Sequence, residues 1–214
     1  MTARFKKFGA IAGISFPIVQ MIAQSLIQVG GTEPKFTAAT SEILAFFQNR
    51  NSQLFEIGGY LTSLSAVLFI WFVAFLWNEL RSLEGESGML SMIALGSGLV
   101  TAAAFNVGGW ALAIFRLNEG LSPEVARLLF DEGNFNFANM WVSTGSMVLA
   151  AGLIFRASSA YPRWLGSGSV LVALALFAAR AVWILQIAFL PYVLFWVWMI
   201  YLGVVFLRRP TAKS

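Results

Sequence analysis

Hydrophobic residues are gathered into long runs that alternate with short polar segments along the chain. Since about 20 apolar residues in a helix cross the hydrocarbon core of a membrane, the runs predict six transmembrane spans. Their approximate positions are residues 8–29, 56–77, 89–115, 135–155, 164–190 and 191–207. We therefore expect an all-α, polytopic membrane helix bundle in which residues 1–214 form a single domain.

Length decides how the first, fifth and sixth spans are bounded. The first run continues to about Gly30 and is longer than the apolar core of a cleavable signal, so we expect an uncleaved span. The apolar run from Trp164 to Leu207 would be about 66 Å long as one helix, far beyond a hydrocarbon core of about 30 Å. A tight hairpin near Pro191 is therefore expected to divide it into two spans.

Basic residues are distributed unequally between the two sides of the predicted bundle. With both termini in the cytoplasm, the inner segments hold nine of them and the outer segments four. The inner set is Arg4, Lys6, Lys7, Arg81, Arg156, Arg163, Arg208, Arg209 and Lys213, and the outer set is Lys35, Arg50, Arg116 and Arg127. Because cytoplasmic loops carry an excess of Lys and Arg, this asymmetry predicts an N-in, C-in orientation.

Both long outer loops predict a short amphipathic surface helix. In the first loop, Thr40–Gln48 has an apolar face behind a Thr or Ser cap. In the second, residues 121–130 begin at Ser122 and Pro123, which suit the cap and the first helical position. Gly133 is expected to end that second helix.

Composition supports a membrane protein and excludes several kinds of site. Hydrophobic residues make up 58% and charged residues 11% of the chain, whereas soluble domains have about 25% charged residues. The orientation accounts for the net charge of +4, so no nucleic-acid partner is expected. The chain has neither Cys nor His, which removes disulfides, thiol nucleophiles and imidazole ligands. No cofactor or metal is expected, and no catalytic motif is present.

Polar residues inside the spans are concentrated in the outer half. Arg180 is the most unusual, because a guanidinium at membrane depth costs several kcal/mol unless it is paired or hydrated. Gln20, Gln24 and Gln28 recur every four residues and so share a helix face. The outer-half set is Gln24, Gln28, Glu56, Asn106, Asn136, Asn139, Arg180 and Gln186. We predict that these residues surround a polar pocket facing outward.

The candidate ligand-binding residues are drawn from that set. They are Arg180, Glu56, Gln24, Gln28, Asn106 and Asn139. Glu56 is the carboxylate expected nearest to Arg180 in depth. Two interpretations stay open: Arg180 is either a structural clamp that pairs with Glu56 or part of a ligand site that meets an anionic group.

Three short segments carry a family resemblance. They are Ala45-Phe46-Phe47-Gln48-Asn49-Arg50 leading into Gly58-Gly59-Tyr60-Leu61, then Phe135-Asn136-Phe137, and then Pro162-Arg163-Trp164-Leu165-Gly166. Together they resemble a family of small bacterial integral membrane proteins of unknown function with about six transmembrane helices. The resemblance implies a multi-pass protein of the bacterial inner membrane. It implies no activity and no site residues.

The leading hypothesis is a non-enzymatic membrane protein that binds a small amphipathic or lipid-like molecule in the outward-facing pocket. The alternatives are a transporter or channel and a structural subunit of a membrane complex. An intramembrane enzyme is the weakest alternative, since its acid–base candidates are only Glu56, Glu79 and Tyr60. Expected partners are membrane lipids, the small ligand, and either further copies of this chain or another membrane protein.

Overall fold

Helices form the whole of the described fold. A computed structural model of the chain describes residues 3–105 and 108–208, and these residues form eight α-helices, two 3-10 turns and no strand. The α-helices are α1 (Ala3–Ile27), α2 (Thr40–Gln48), α3 (Ser52–Glu84), α4 (Met89–Ala104), α5 (Gly109–Arg116), α6 (Pro123–Ala157), α7 (Arg163–Ala181) and α8 (Leu190–Arg208). The described chain has six helical segments long and apolar enough to cross a membrane. The predicted all-α polytopic bundle is confirmed.

The spanning helices form a closed ring in chain order. α1 packs on α3, α3 on α4, α4 on α6, α6 on α7, α7 on α8, and α8 returns to α1. Glycines allow the close contacts at α1, since a Cβ at Gly9 or Gly13 would overlap a phenylalanine of α3. Gly203 of α8 meets the carbonyl oxygen of Ala10 in the same way. Small residues thus set the helix spacing, as is usual in lipid.

Aromatic side chains fill the centre of the ring. Phe16, Phe69, Phe72 and Phe195 are fully buried there, with the rings of Phe16 and Phe69 centred 5.0 Å apart. The ring of Phe105 packs against two of them: its centre is 5.4 Å from that of the Phe16 ring and 5.9 Å from that of the Phe69 ring. We call this set and the buried residues packed around it the membrane core.

α7 and α8 form the predicted hairpin, but the break comes before Pro191. α7 ends at Ala181, and residues 182–189 lead into α8, where Pro191 lies in the first turn. The helices are antiparallel, since Trp198 Nε1 donates a 2.8 Å hydrogen bond to Ser169 Oγ. The predicted span 164–190 is therefore too long at its C-terminal end.

The third span is broken rather than continuous. α4 ends at Ala104, whose carbonyl oxygen accepts a 3.0 Å hydrogen bond from Asn136 Nδ2. α5 then starts at Gly109, where a Cβ would overlap the Glu132 carboxylate and crowd the backbone of α6. Consequently α4 packs on α3 and α6, whereas α5 packs mainly against α6.

Two separate short helices were predicted in the outer loops, and this prediction is not confirmed. α2 occupies Thr40–Gln48, but the second segment is the beginning of α6, which runs without interruption from Pro123 to Ala157. Ser122 caps it, its Oγ accepting from Val125 N. Gly133 does not end the helix; it leaves room for the Trp110 ring instead.

A second, smaller apolar core lies at the end of the bundle opposite the Lys6–Glu79 ion pair. We call it the cap; it consists of α2, α5 and residues 123–134 with the adjoining ends of α1 and α3. The Trp110 and Phe130 rings stack there with centres 5.6 Å apart. The cap core contains Ile27, Ile43, Phe46, Phe47, Phe55, Ala113, Ile114, Ala126 and Phe130.

Candidate ligand-binding cavity

A large cavity separates the cap from the membrane core. Its volume is about 1400 Å³, above the range of about 300–1,000 Å³ typical of sites for drug-sized ligands. Ile27, Phe55 and Ile114 of the cap form part of its wall. On the other side, residues of the membrane core line it, including Phe105, Met140, Trp141, Tyr192 and Trp196. The wall is therefore rich in aromatic rings.

Counted along α3, the cavity lies about one membrane thickness from the Lys6–Glu79 ion pair. A helix crosses about 30 Å of hydrocarbon in about 20 residues. Glu79, next to Leu80 on α3, pairs with Lys6 at 3.0 Å. Twenty residues along α3 from Leu80, a length of about 30 Å, lead to Tyr60. Tyr60 lines the cavity, and Tyr is enriched at membrane–water boundaries. The cavity wall thus has polar side chains near Tyr60 and aromatic side chains on the side of the membrane core.

A row of amides forms one side of the cavity. Gln20, Gln24 and Gln28 follow one another along α1, and all three line the space. Gln20 is only 2% exposed, and within the described chain its Nε2 has no hydrogen-bond partner. Trp141 on α6 is 3% exposed, and its Nε1 is likewise unpaired among the described residues. Each unpaired buried donor costs about 1–3 kcal/mol.

Two carboxylates and one ammonium group also line the cavity: Glu33, Glu56 and Lys35. Desolvation by the surrounding protein raises the pKa of Glu33 to about 7, although solvent in the cavity reaches its side chain. A hydrogen bond with Asn134 and the positive charge of Arg50 act in the opposite direction on this pKa. Desolvation therefore moves the pKa of Glu33 toward neutral pH.

Arg50 lies behind Glu33, inside the cap. It is 6% exposed, and its guanidinium carbon is 4.0 Å from the centre of the Phe46 ring. Burial lowers the pKa of Arg50, and the neighbouring charge of Glu33 partly offsets this effect. The guanidinium nitrogens make no hydrogen bond within the described residues. The positive charge of Arg50 is thus stabilised by the Phe46 ring and, when Glu33 is ionised, by that carboxylate.

Arg127 fastens the 28–39 loop over the cavity. Its Nη1 and Nη2 donate to the carbonyl oxygens of Ala38 and Phe36 at 2.9 and 2.8 Å, while Nε donates to Asp131. The Phe36 ring then lies against Trp183, with centres 4.7 Å apart. One α6 side chain therefore holds the loop segment that carries Glu33.

Arg180 stands outside the cavity wall. Its Nε donates a 2.8 Å hydrogen bond to Asn139 Oδ1, and its guanidinium carbon is 4.8 Å from the Phe135 ring centre and 5.9 Å from that of Trp183. Because α7 ends at Ala181, Arg180 occupies the last turn of a helix, where the helix dipole favours a cation. In the described structure Glu56 is not within ion-pair distance of Arg180.

The predicted site residues are thus divided between two places. Gln24, Gln28 and Glu56 line the cavity, whereas Arg180 and Asn139 bind each other behind Trp183. Asn106 lies outside the described residues, and so does the side chain of Gln186. The other outer-half residue, Asn136, both lines the cavity and caps α4.

Several wall residues were absent from the predicted set. Gln20 shares the four-residue spacing of Gln24 and Gln28, so the spacing alone could have included it. Glu33 stands in a polar loop without periodicity, and no sequence signal marks it. Of the acid–base candidates, Glu56 and Tyr60 line the cavity, while Glu79 pairs with Lys6 at the opposite end. Within residues 3–105 and 108–208, no group of three or more acidic residues could hold a metal ion.

No family model, curated protein or solved structure matches this chain. The resemblance to small bacterial membrane proteins therefore stays an expectation.

Proposed function

We propose that this integral membrane protein binds a small amphipathic or lipid-like molecule in the cavity between the membrane core and the cap. The observation that carries the proposal is the combination of a large aromatic-walled space with a row of α1 amides in its wall. Such a space offers an apolar tail a dry surface and offers a headgroup several hydrogen-bonding partners.

The distribution of wall residues supports an amphipathic ligand rather than a uniformly polar one. Gln28, Glu33 and Glu56 line the part of the cavity next to the 28–51 connection. Phe105, Trp141 and Trp196 line the part next to the membrane core. A molecule with one polar end and one apolar end would satisfy both parts.

In this proposal Arg180 is a positioning residue. Arg180 touches Trp183, and Trp183 lines the cavity, so the guanidinium acts on the wall through an indole ring. The charge of the ligand is therefore not determined by Arg180. The groups available to meet it are the amides and the carboxylates already described.

Native mass spectrometry with lipid extraction tests the proposal on the gently solubilised full chain. We expect the wild type to retain a specific molecule and the double variant Gln24→Leu/Gln28→Leu to lose most of it. Gln48→Leu, on the exposed surface of α2, is the matched control and should retain it. An empty but folded wild type, or equal retention in the double variant, would overturn the proposal.

A transporter of the same molecule is the second candidate, because the third span is broken beside the cavity. Discontinuous helices at membrane depth are typical of transporter sites. Against it, Phe16, Phe69 and Phe195 fill the ring centre beyond the cavity. Flux of the identified molecule into proteoliposomes, above that of empty vesicles, would favour transport.

The resemblance and the charge asymmetry support placing the protein in a bacterial inner membrane with both termini in the cytoplasm. Because the chain has no Cys, single cysteines report orientation cleanly. Asn118→Cys, at the cap end, should react with an impermeant maleimide from the outside of intact cells. Ser159→Cys, in the α6–α7 connection, should react only after the cells are opened; the reverse pattern would contradict the orientation.

A further inference from the structure

The cavity is open sideways between α3 and α5. Tyr60 on α3 is 69% exposed and Phe115 on α5 is 64% exposed, although both line the cavity. Side chains this accessible are not enclosed, so the cavity opens to the surface beside Tyr60 and Phe115, in what we call the gap. The broken third span accounts for the opening, because α4 packs closely against α3, whereas α5 packs mainly against α6 and keeps only a small contact with α3.

Each edge of the gap is a helical stripe with i, i+3, i+4 and i+7 spacing. The α3 edge consists of Glu56, Gly59, Tyr60 and Ser63, and the α5 edge consists of Ala111, Leu112 and Phe115, with Gly108 immediately before the helix. The α5 edge is apolar. On the α3 edge, polar side chains lie on both sides of Gly59. Both edges belong to segments long and apolar enough to cross the membrane, so lipid is the solvent outside the gap.

Two unpaired donors in the wall indicate what the ligand carries. Gln20 and Trp141 each hold a buried N–H without an acceptor within the described chain. A third donor, the Trp196 indole, stands beside the Tyr192 hydroxyl without a well-aligned hydrogen bond. All three groups donate, and none of them is satisfied by a hydrocarbon tail. A ligand with acceptor oxygens close to its apolar part would satisfy them.

We propose, on the basis of the proposed function, that the ligand is an acyl lipid that enters from the bilayer through the gap between α3 and α5. Its chain lies against the aromatic floor, and its ester or carboxyl oxygens accept hydrogen bonds from the Gln20 and Trp141 donors. The level of the gap, near the membrane boundary, matches the level at which such oxygens lie in a bilayer. A phospholipid and a free fatty acid share this chemistry, and lipid extraction distinguishes them.

The test uses the full chain in phosphatidylcholine vesicles that contain a small fraction of phosphatidylcholine with a diazirine on one acyl chain. After illumination, labelled residues are mapped by mass spectrometry. Label on Gln20, Phe105 and Trp141 reports the cavity, and label on the exposed Val100 and Leu171 reports ordinary lipid contact. The measured quantity is the ratio of the amount of label on the cavity residues to the amount on the lipid-contact residues.

Gly59→Leu is expected to lower this ratio at least tenfold. A Cβ at Gly59 meets nothing within 4 Å, and Gly59 lines the cavity, so the leucine side chain starts in open space at the gap. The matched control is Gly96→Leu, because Gly96 lies on an exposed face of α4, also has nothing within 4 Å and does not line the cavity. The control should keep the wild-type ratio. If Gly59→Leu does not fold, Ala111→Leu closes the gap from the α5 edge.

The outcomes separate this inference from the proposed function. An unchanged ratio in the folded gap variant would mean that lipid arrives by another route, which overturns the inference. A wild type that retains a molecule in native mass spectrometry but gives no cavity label binds something other than a bilayer lipid, which also overturns it. If the wild type retains no molecule and gives no cavity label, both proposals are overturned.

Discussion

Arg180 Nε donates a 2.8 Å hydrogen bond to Asn139 Oδ1, which ties the last turn of α7 to α6. The same guanidinium faces the Phe135 and Trp183 rings, so it holds Trp183 in place from behind the cavity. The cation predicted from the sequence as a ligand contact thus lies outside the cavity wall and packs against Trp183, which lines it.

The Arg180–Asn139 pair should act as a unit in a double-mutant cycle. Arg180→Leu and Asn139→Leu are each expected to lower the free energy of unfolding by about 1 kcal/mol, with little added in the double variant. Unfolding by sodium dodecyl sulfate, followed by circular dichroism, measures this. Arg116→Leu, in the exposed pair with Glu119, is the control and should change it by less than about 0.5 kcal/mol. Additive losses would contradict the pairing.

Gln20→Met should stabilise the empty protein and weaken ligand retention at the same time. Methionine keeps the length of the side chain but removes the unpaired buried amide, which should raise the free energy of unfolding by about 1 kcal/mol. Native mass spectrometry should show several-fold less retained ligand than in the wild type. Gln48→Met, on exposed α2, should change neither quantity. Lower stability with full retention would mean that Gln20 has an internal structural role instead.

Arg127→Leu should free the 28–39 loop while leaving the bundle folded. The variant loses the hydrogen bonds to the Phe36 and Ala38 carbonyl oxygens and to Asp131. Hydrogen exchange of residues 33–38 should become at least tenfold faster, and the bound molecule should leave sooner. Arg116→Leu is again the control. Unchanged exchange would show that the Phe36–Trp183 contact alone secures the loop.

Glu33→Gln should change how stability depends on pH. The folded state raises the pKa of Glu33 from 4.5 to about 7, so it holds a proton that the unfolded chain releases between these values. Wild-type stability should therefore fall as the pH rises through this window. The variant should melt at a higher temperature than the wild type above about pH 7, and the two should converge near pH 4.5.

Glu42→Gln, on the exposed surface of α2, is the control for that experiment and should follow the wild type. Thermal unfolding in detergent across the pH window measures all three proteins. A constant difference between Glu33→Gln and the wild type at every pH would rule out a titrating Glu33.

Apolar run length in the sequence was sufficient to predict six membrane-spanning segments, and residue spacing was sufficient to predict the glutamine row. The four-residue spacing of Gln20, Gln24 and Gln28 put them on one helix face, and the structure has all three in one wall. The outer-half position of Glu56 was informative for the same reason, since depth along a helix follows directly from residue number.

Helix breaks inside apolar sequence could not be predicted in the same way. Residues 182–185 are Val-Trp-Ile-Leu, as apolar as the helix before them, yet α7 ends at Ala181. Conversely, Asn134 looked like a boundary, but its Nδ2 donates to the carbonyl oxygen of Phe130 and α6 continues through it. Where a polar side chain bonds to its own helix, polarity no longer marks an end.

The ring of spanning helices has a consequence for biogenesis. Because neighbours in the ring are also neighbours in the chain, each newly made span can dock on the one before it as translation proceeds. The contact between α1 and α8, where Gly203 meets Ala10, is the exception and closes only after α8 has been synthesised. Until then, the side of α1 that receives α8 is open to lipid, and a ribosome stalled before α8 would leave a nascent chain with that surface available to membrane chaperones and proteases.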